Sequence, residues 1–198
     1  MHLIILDIDG TLTDTNAVDF ECWSAAFHDT FKVDISDIDW GTYTDFTDLG
    51  LLQDVHREYT GKEVSDIGVV LFRKCFVRKI QHAIGHSPKR FQAIAGVNAF
   101  MKTLMADRRY AVCMATGGFG LTARLKLAAA GIMSEGIALA SSDRFRTRAE
   151  IVMDGIRQAR FGYRIKGFDR LTAFGDGIWD FTTAQPVSYT HLTLPTIA

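Results

Sequence analysis

The hydrophobic positions of this chain fall into two rhythms that alternate along most of its length. One is the short, mostly apolar run: Leu3-Ile4-Ile5-Leu6, Tyr110 to Ala115, Gly136-Ile137-Ala138-Leu139-Ala140 and, interrupted by one threonine, Leu171-Thr172-Ala173-Phe174. Runs of this length fit strands covered on both faces. The other rhythm is helical. A helix capped by Thr15 or Asn16 carries Val18, Cys22, Trp23, Ala26 and Phe27 on one side. A second, around Asp48 to Tyr59, places Leu49, Leu52, Val55 and Tyr59 near one face, and a third, around Asp66 to Ala83, carries Val69, Phe72, Phe76, Val77 and Ile80. Later helices carry Val97, Phe100, Met101, Leu104 and Met105, then Leu121, Leu125, Leu127 and Ala128, then Ile151, Val152, Ile156 and Ala159. Thr147 opens the last of these with Glu150 three positions on, the spacing of a capping box.

Strands alternating with helices imply an α/β fold, a parallel sheet with helices on both faces. The three helices between Thr15 and Pro88 have no strand among them and read as an insertion. Gly85-His86-Ser87-Pro88 ends it, because glycine and proline disfavour a continuing helix.

In open parallel sheets ligands bind beyond the carboxyl ends of the strands, and the polar residues of this chain gather at those ends. Asp7 and Asp9 follow the first run, with Gly10 and Thr11; Thr116-Gly117-Gly118 follows the second; Arg148 stands at the start of a helix; Asp176 and Asp180 follow the last run. Each has a plain alternative. Asp-Gly and Thr-Gly-Gly are ordinary turn sequences, Arg144 and Arg146 compete with Arg148, and Asp14 reads equally well as a surface carboxylate.

Taken together, their order and spacing resemble the haloacid dehalogenase superfamily of hydrolases. The family's motifs are Asp-x-Asp at the first strand, Ser or Thr after the second, Lys or Arg before a later helix, and an acidic pair at the fourth strand. The resemblance runs from the first residue to Gln185. It implies a three-layer Rossmann-like core with a parallel sheet, built from residues 1–14 and 89–186, with residues 15–88 as a small all-helical cap. It further implies that Asp7 is a nucleophile that becomes an aspartyl phosphate, and that Asp9 is general acid and then general base. The Thr116 hydroxyl, the Gly117 amide and Arg148 would bind phosphate oxygens. Asp7, Asp176 and the Asp9 carbonyl would hold a divalent cation, and Asp180 would be a further ligand or orient a metal-bound water. Carboxylates crowded in one cleft repel unless a cation intervenes, and an all-oxygen donor set favours Mg2+ over zinc.

Within that family, an acid two residues beyond the nucleophile suits an oxygen leaving group that must be protonated, where a halide needs none. The expected activity is therefore hydrolysis of a small phosphate monoester. A sugar phosphomutase shares this chemistry, and a catalytically idle interaction domain is opposed by the intact aspartates. Cap loops usually choose the substrate, which makes Trp40 to Asp48 and Arg57 candidates.

Composition narrows the partners. With 198 residues, 47% hydrophobic, the chain is long enough for one core domain plus an insertion, and its net charge of −1 supplies no positive field for nucleic acid. A small phosphorylated metabolite is the expected partner. Arg73, Lys74, Arg78 and Lys79 read as a solvated helix face. No apolar run is long enough to cross a bilayer, the start lacks a signal region, and Cys22, Cys75 and Cys113 are scattered without metal-ligand spacing, which places the protein in the cytoplasm. Val187 to Thr196 looks like the translation of a sequencing adapter, so residues 187–198 are set aside from the fold. On that reading the chain is C-terminally truncated and the edge of the last core strand is uncovered. Residues 1–186 alone are then expected to be poorly soluble or marginally stable.

Overall fold

A computed structural model describes residues 1–43 and 46–177, together with the backbone of residues 190–193. The chain runs β1 (His2–Leu6), β2 (Thr13–Asp14), α1 (Asn16–Phe31), α2 (Asp48–Thr60), α3 (Asp66–His86) and β3 (Gln92–Ala93). It continues through α4 (Val97–Ala106), β4 (Tyr110–Ala115), α5 (Gly120–Ala129), β5 (Ala138–Ala140), α6 (Arg148–Gly162), β6 (Arg170–Gly175) and β7 (Thr190–Thr193).

The large sheet has the order β5-β4-β1-β6-β7, every pair parallel. From β1 the chain works outward through β4 to β5 and then returns to the other side of β1. The strand order thus reverses at β1, and a crevice opens at its carboxyl end, where Asp7 stands. The isoleucine-rich run forms β1 because it must be apolar on both faces. Ile4 and Leu6 pack with Val97, Met101 and Leu104 of α4 and Ala123 and Leu127 of α5, while Leu3 and Ile5 pack with Ile151, Val152 and Ala159 of α6. This is the expected three-layer, Rossmann-like α/β architecture.

The helices α1, α2 and α3 enclose a core of their own, in which Phe27, Leu52, Phe72, Phe76 and Ile80 are fully buried. Phe119, just before α5, reaches into it from the sheet side. The outgoing and returning segments of the chain pair as the antiparallel strands β2 and β3. Beside them, Arg90 grips Glu21 of α1 with two hydrogen bonds of 2.7 and 2.8 Å.

Several expectations shift. Phe100, Met105 and Leu121 point outward, each more than a third exposed. On α5 the inward positions are Thr122, Ala123, Lys126 and Leu127, since Ala123 and Leu127, one turn apart, are the residues that meet the sheet. In the basic stretch, Lys74 and Arg78 are exposed and Lys79 pairs with Asp29, as a solvated face should. Arg73 differs: it lies 4.3 Å over the Phe119 ring and pairs with Asp143. The β6 edge is also not bare. Thr190–Thr193 runs beside it in parallel register, and backbone pairing of this kind satisfies an edge whatever the side chains of the added strand. Among the described residues no helix is long and apolar enough to cross a membrane.

Candidate active site

The turn after β1 sets the site. Gly10 has φ +76°, a left-handed conformation natural to glycine, and its N–H donates to Thr13 O at 2.8 Å. The N–H groups of Leu12 and Thr13 both donate to Ile8 O, at 2.8 and 2.9 Å. This tight reversal leaves Asp7 and Asp9 on the wall of one cavity of about 320 Å³. Asp7 is buried, and its N–H donates to Phe174 O of β6 at 3.0 Å. A Cβ on Gly10 would lie 2.0 Å from Asp176 Oδ2, so the turn and the segment after β6 press together at a point only glycine fits.

Arg148 is the first residue of α6, where Thr147 and Glu150 form the expected capping box. With the helix start fixed, the guanidinium reaches inward. Nη1 donates to Asp7 Oδ1 at 3.0 Å and Nε to Phe46 O at 3.0 Å. Arg146 instead faces Gln53 and Asp54, so of these two arginines it is Arg148 that contacts Asp7. Thr116 leaves β4 with its N–H on Ala140 O, and its hydroxyl accepts from Gly118 N at 3.0 Å. A Cβ on Gly117 would lie 2.3 Å from Phe46 O and 2.8 Å from Arg148 Cζ. Asp176 accepts from Asn16 Nδ2 at 3.2 Å, and burial raises its pKa above the usual carboxylate value despite that bond. Asp7, Asp9, Thr116, Gly117, Arg148 and Asp176 therefore share one cavity. Asp180 lies outside the described residues.

The Asp9 carboxylate is held from both sides. Oδ1 accepts from the Thr15 hydroxyl, and Oδ2 accepts from Lys126 Nζ at 2.6 Å. Thr15, expected to cap α1, gives that helix no side-chain cap because its hydroxyl is used here. Lys126 is fully buried and also donates to Asp19 of α1 at 2.6 Å. Burial works against its charge, yet the Asp19 and Asp9 carboxylates outweigh that, and its pKa rises above the ordinary lysine value. Asp19 is pushed up to about 6 by desolvation, partly countered by Lys126. Asp48 is raised well above the usual range, again by burial first and by the Asp19 charge next. Its Oδ2 accepts from Phe119 N and its own N–H donates to Gly117 O, both at 2.7 Å.

Lys126, Asp19 and Asn16 were not among the expected site residues. The signal for Lys126 is its place three residues after Ala123 and one before Leu127, on the inward face of α5. Of the substrate-choosing candidates, Phe46, Thr47 and Asp48 line the cavity, while Trp40 packs edge-on against Trp23, and Thr44 and Asp45 lie outside the described residues. Arg57 does not belong to the site. It is half-exposed and paired with Asp54 and Glu63, because Asp54 sits one helical turn before it. Among the described residues, no three acidic, histidine or cysteine side chains already form a metal-binding cluster.

Comparisons with known proteins bear on the fold and the family. No curated protein matches the sequence. A hydrolase from Pseudomonas syringae superposes with a TM-score of 0.70 at 20% identity, covering 96% of this chain and 83% of that one. A predicted phosphoglycolate phosphatase from Haemophilus somnus 129PT gives 0.64 at 16% identity, covering 98% and 85%. A protein bearing the name β-phosphoglucomutase, from Bacteroides vulgatus, gives 0.69 at 13% identity, covering 100% and 77%. At such identities the likeness is one of fold. The sequence itself matches the family described as haloacid dehalogenase-like hydrolase over residues 1–187, nearly the whole chain, and the protein is therefore a member of that hydrolase family.

Proposed function

We propose that this hydrolase is a Mg2+-dependent phosphatase that cleaves a small phosphate monoester through an aspartyl phosphate on Asp7. The observation that carries the reading is the pairing of Asp7 with Arg148 at 3.0 Å, at the sheet's switch point, with Asp9 and Thr116 on the same cavity wall. Arg148 neutralises part of the charge that an anionic phosphate meets on approaching a carboxylate, and it orients that carboxylate. Asp7 attacks phosphorus, and the P–O bond to the alcohol breaks. Asp9 must enter this step protonated, on the oxygen that otherwise accepts from Thr15; it gives that proton to the departing alkoxide and regains one from the water that attacks the aspartyl phosphate. The Thr116 hydroxyl and the Gly117 amide contribute donors to the phosphoryl oxygens.

A hard divalent cation fits the donor set. Asp7 and Asp176 line one cavity, and their carboxylates are hard oxygen donors of the kind Mg2+ takes. Asp7, Asp176 and the Asp9 carbonyl would hold the ion, with Asp180 as a fourth contributor. When bound, Mg2+ offsets negative charge on the phosphoryl oxygens.

Residues 1–14 and 89–186 would then be the catalytic core, residues 15–88 a cap that covers it, and residues 187–198 an added tail whose Thr190–Thr193 segment lies along β6. Three buried, unpaired thiols suit a reducing compartment such as the cytoplasm. The test is Mg2+-dependent phosphate release from a panel of small phosphate esters by the full chain and its Asp7→Asn variant. Release lost in the variant supports the nucleophile. Isomerisation of a phosphosugar without net release would favour the mutase reading instead.

A further inference from the structure

We infer that Lys126, through its bond to Asp9 Oδ2, is a positioning residue that confines to Oδ1 the proton Asp9 exchanges with the leaving group and with water. The inference rests on the reading of this cavity as a phosphate-monoester site and adds a residue that acts through the general acid. Lys126 does not line the cavity. It is fully buried on α5, and its Nζ donates to Asp9 Oδ2 at 2.6 Å and to Asp19 Oδ1 of α1 at 2.6 Å. Its route to the substrate therefore passes through the Asp9 carboxyl group.

The two oxygens of Asp9 have unlike partners. An ammonium group donates and never accepts, so a proton on Oδ2 would meet another donor head-on. A hydroxyl can do either, so Thr15 at Oδ1 suits the carboxyl group with or without its proton. The hydroxyls beyond it accommodate both states. Thr15 Oγ1 lies 2.6 Å from Thr13 Oγ1, and the Thr13 hydroxyl donates to Ile8 O at 3.2 Å. With Asp9 protonated, Oδ1–H points to Thr15, Thr15 to Thr13 and Thr13 to Ile8 O, and each hydrogen has an acceptor. With Asp9 ionised, the two threonine hydroxyls turn about, and Ile8 O keeps the N–H groups of Leu12 and Thr13. Asp19 remains as a partner for the buried Lys126 charge when Asp9 is neutral. During transfer the Oδ1–H bond breaks and the alcohol O–H bond forms, with Oδ1 exchanging Thr15 for the leaving oxygen. The carboxyl torsion of an aspartate is broad on its own, and the Lys126 bond is what keeps the two oxygens from trading places.

Two aromatic monoesters of similar size separate this role from a structural one. Benzyl phosphate releases an alkoxide that must be protonated, whereas 4-nitrophenyl phosphate releases a phenolate that is stable without a proton. For each ester kcat/KM is measured in Mg2+ with the full-length chain, with Lys126→Met, Lys126→Gln and Asp9→Asn, and with the Asp9→Asn/Lys126→Met double variant. The benzyl to 4-nitrophenyl ratio is taken within one preparation, so a smaller folded fraction cancels. In Lys126→Met that ratio is expected to fall at least about tenfold, in the direction of Asp9→Asn. Lys126→Gln, which keeps a neutral donor, should lower it by a smaller factor. In the Asp9→Asn background Lys126→Met should change the ratio by no more than about twofold, because no general acid is left to position. Equal losses on the two esters in both lysine variants, or a further fall of about tenfold in the double variant, overturn the inference and leave the phosphatase reading standing. Cleavage of neither ester by the unaltered chain overturns both.

Discussion

Replacing Lys126 by methionine tests how the site is held together. The substitution keeps a long unbranched side chain but removes a cation that is fully buried and bonded at 2.6 Å to both Asp9 and Asp19. Removing one partner of a buried ion pair costs about 3–5 kcal/mol, because the remaining charge is left desolvated and unpaired. Here the two carboxylates are 17% and 18% exposed, so water reaches them in part, and the lower end, about 3 kcal/mol, applies. In a chain of this size that lowers Tm by roughly 6–12 °C at pH 7. The pH dependence has a definite sign. Asp19 is raised to about 6 even with Lys126 present, and losing the lysine raises it further. A carboxyl whose folded pKa lies above its unfolded value destabilises the fold above that pKa and ceases to do so once protonated. The melting difference between the two proteins should therefore shrink as pH falls from 7 to 5. Differential scanning calorimetry at both pH values reads this directly. A variant melting within about 2 °C of the unaltered chain at pH 7 would refute the reasoning, as would a gap that widens on acidification.

Arg148→Lys keeps the charge but cannot reach Asp7 and Phe46 O together; one charge-assisted hydrogen bond corresponds to roughly a ten- to hundredfold fall in kcat/KM, and activity within a factor of about two of the unaltered chain would exclude that role. Gly117→Ala forces a methyl group to 2.3 Å from the Phe46 carbonyl; a loss of about 1–3 kcal/mol in urea titration is expected, with reduced phosphate release as Arg148 is displaced, and unchanged stability would mean the two segments part without cost.

Much of this architecture is legible before any coordinates, for a physical reason. A strand buried on both faces has to be apolar throughout, so Leu3 to Leu6 announces a central position, and the first charge after it, Asp7, has to stand at the sheet's end. Arg148 is legible because a capping box fixes where a helix starts. Lys126 was not, since a lysine between leucines reads as solvent-facing until its partners are known, and Asp19 and Asp9 come from distant parts of the chain. Arg57 misled for the opposite reason. It looks like a free cation in a substrate-choosing segment, yet its partners Asp54 and Glu63 are local and hold it at the surface.

Asp48 and the segment after β4 exchange hydrogen bonds in both directions: the Asp48 N–H to Gly117 O and the Phe119 N–H to Asp48 Oδ2. Any parting of the three-helix unit from the sheet must break both bonds in the same event, exposing two amide protons and a carboxyl group to water at once. These two amides sit on opposite bodies but share one latch, so where chemical exchange outpaces reclosing, as at high pH, solvent deuterium should reach them at a single common rate. That rate would time the separation of the two bodies without a substrate or a label.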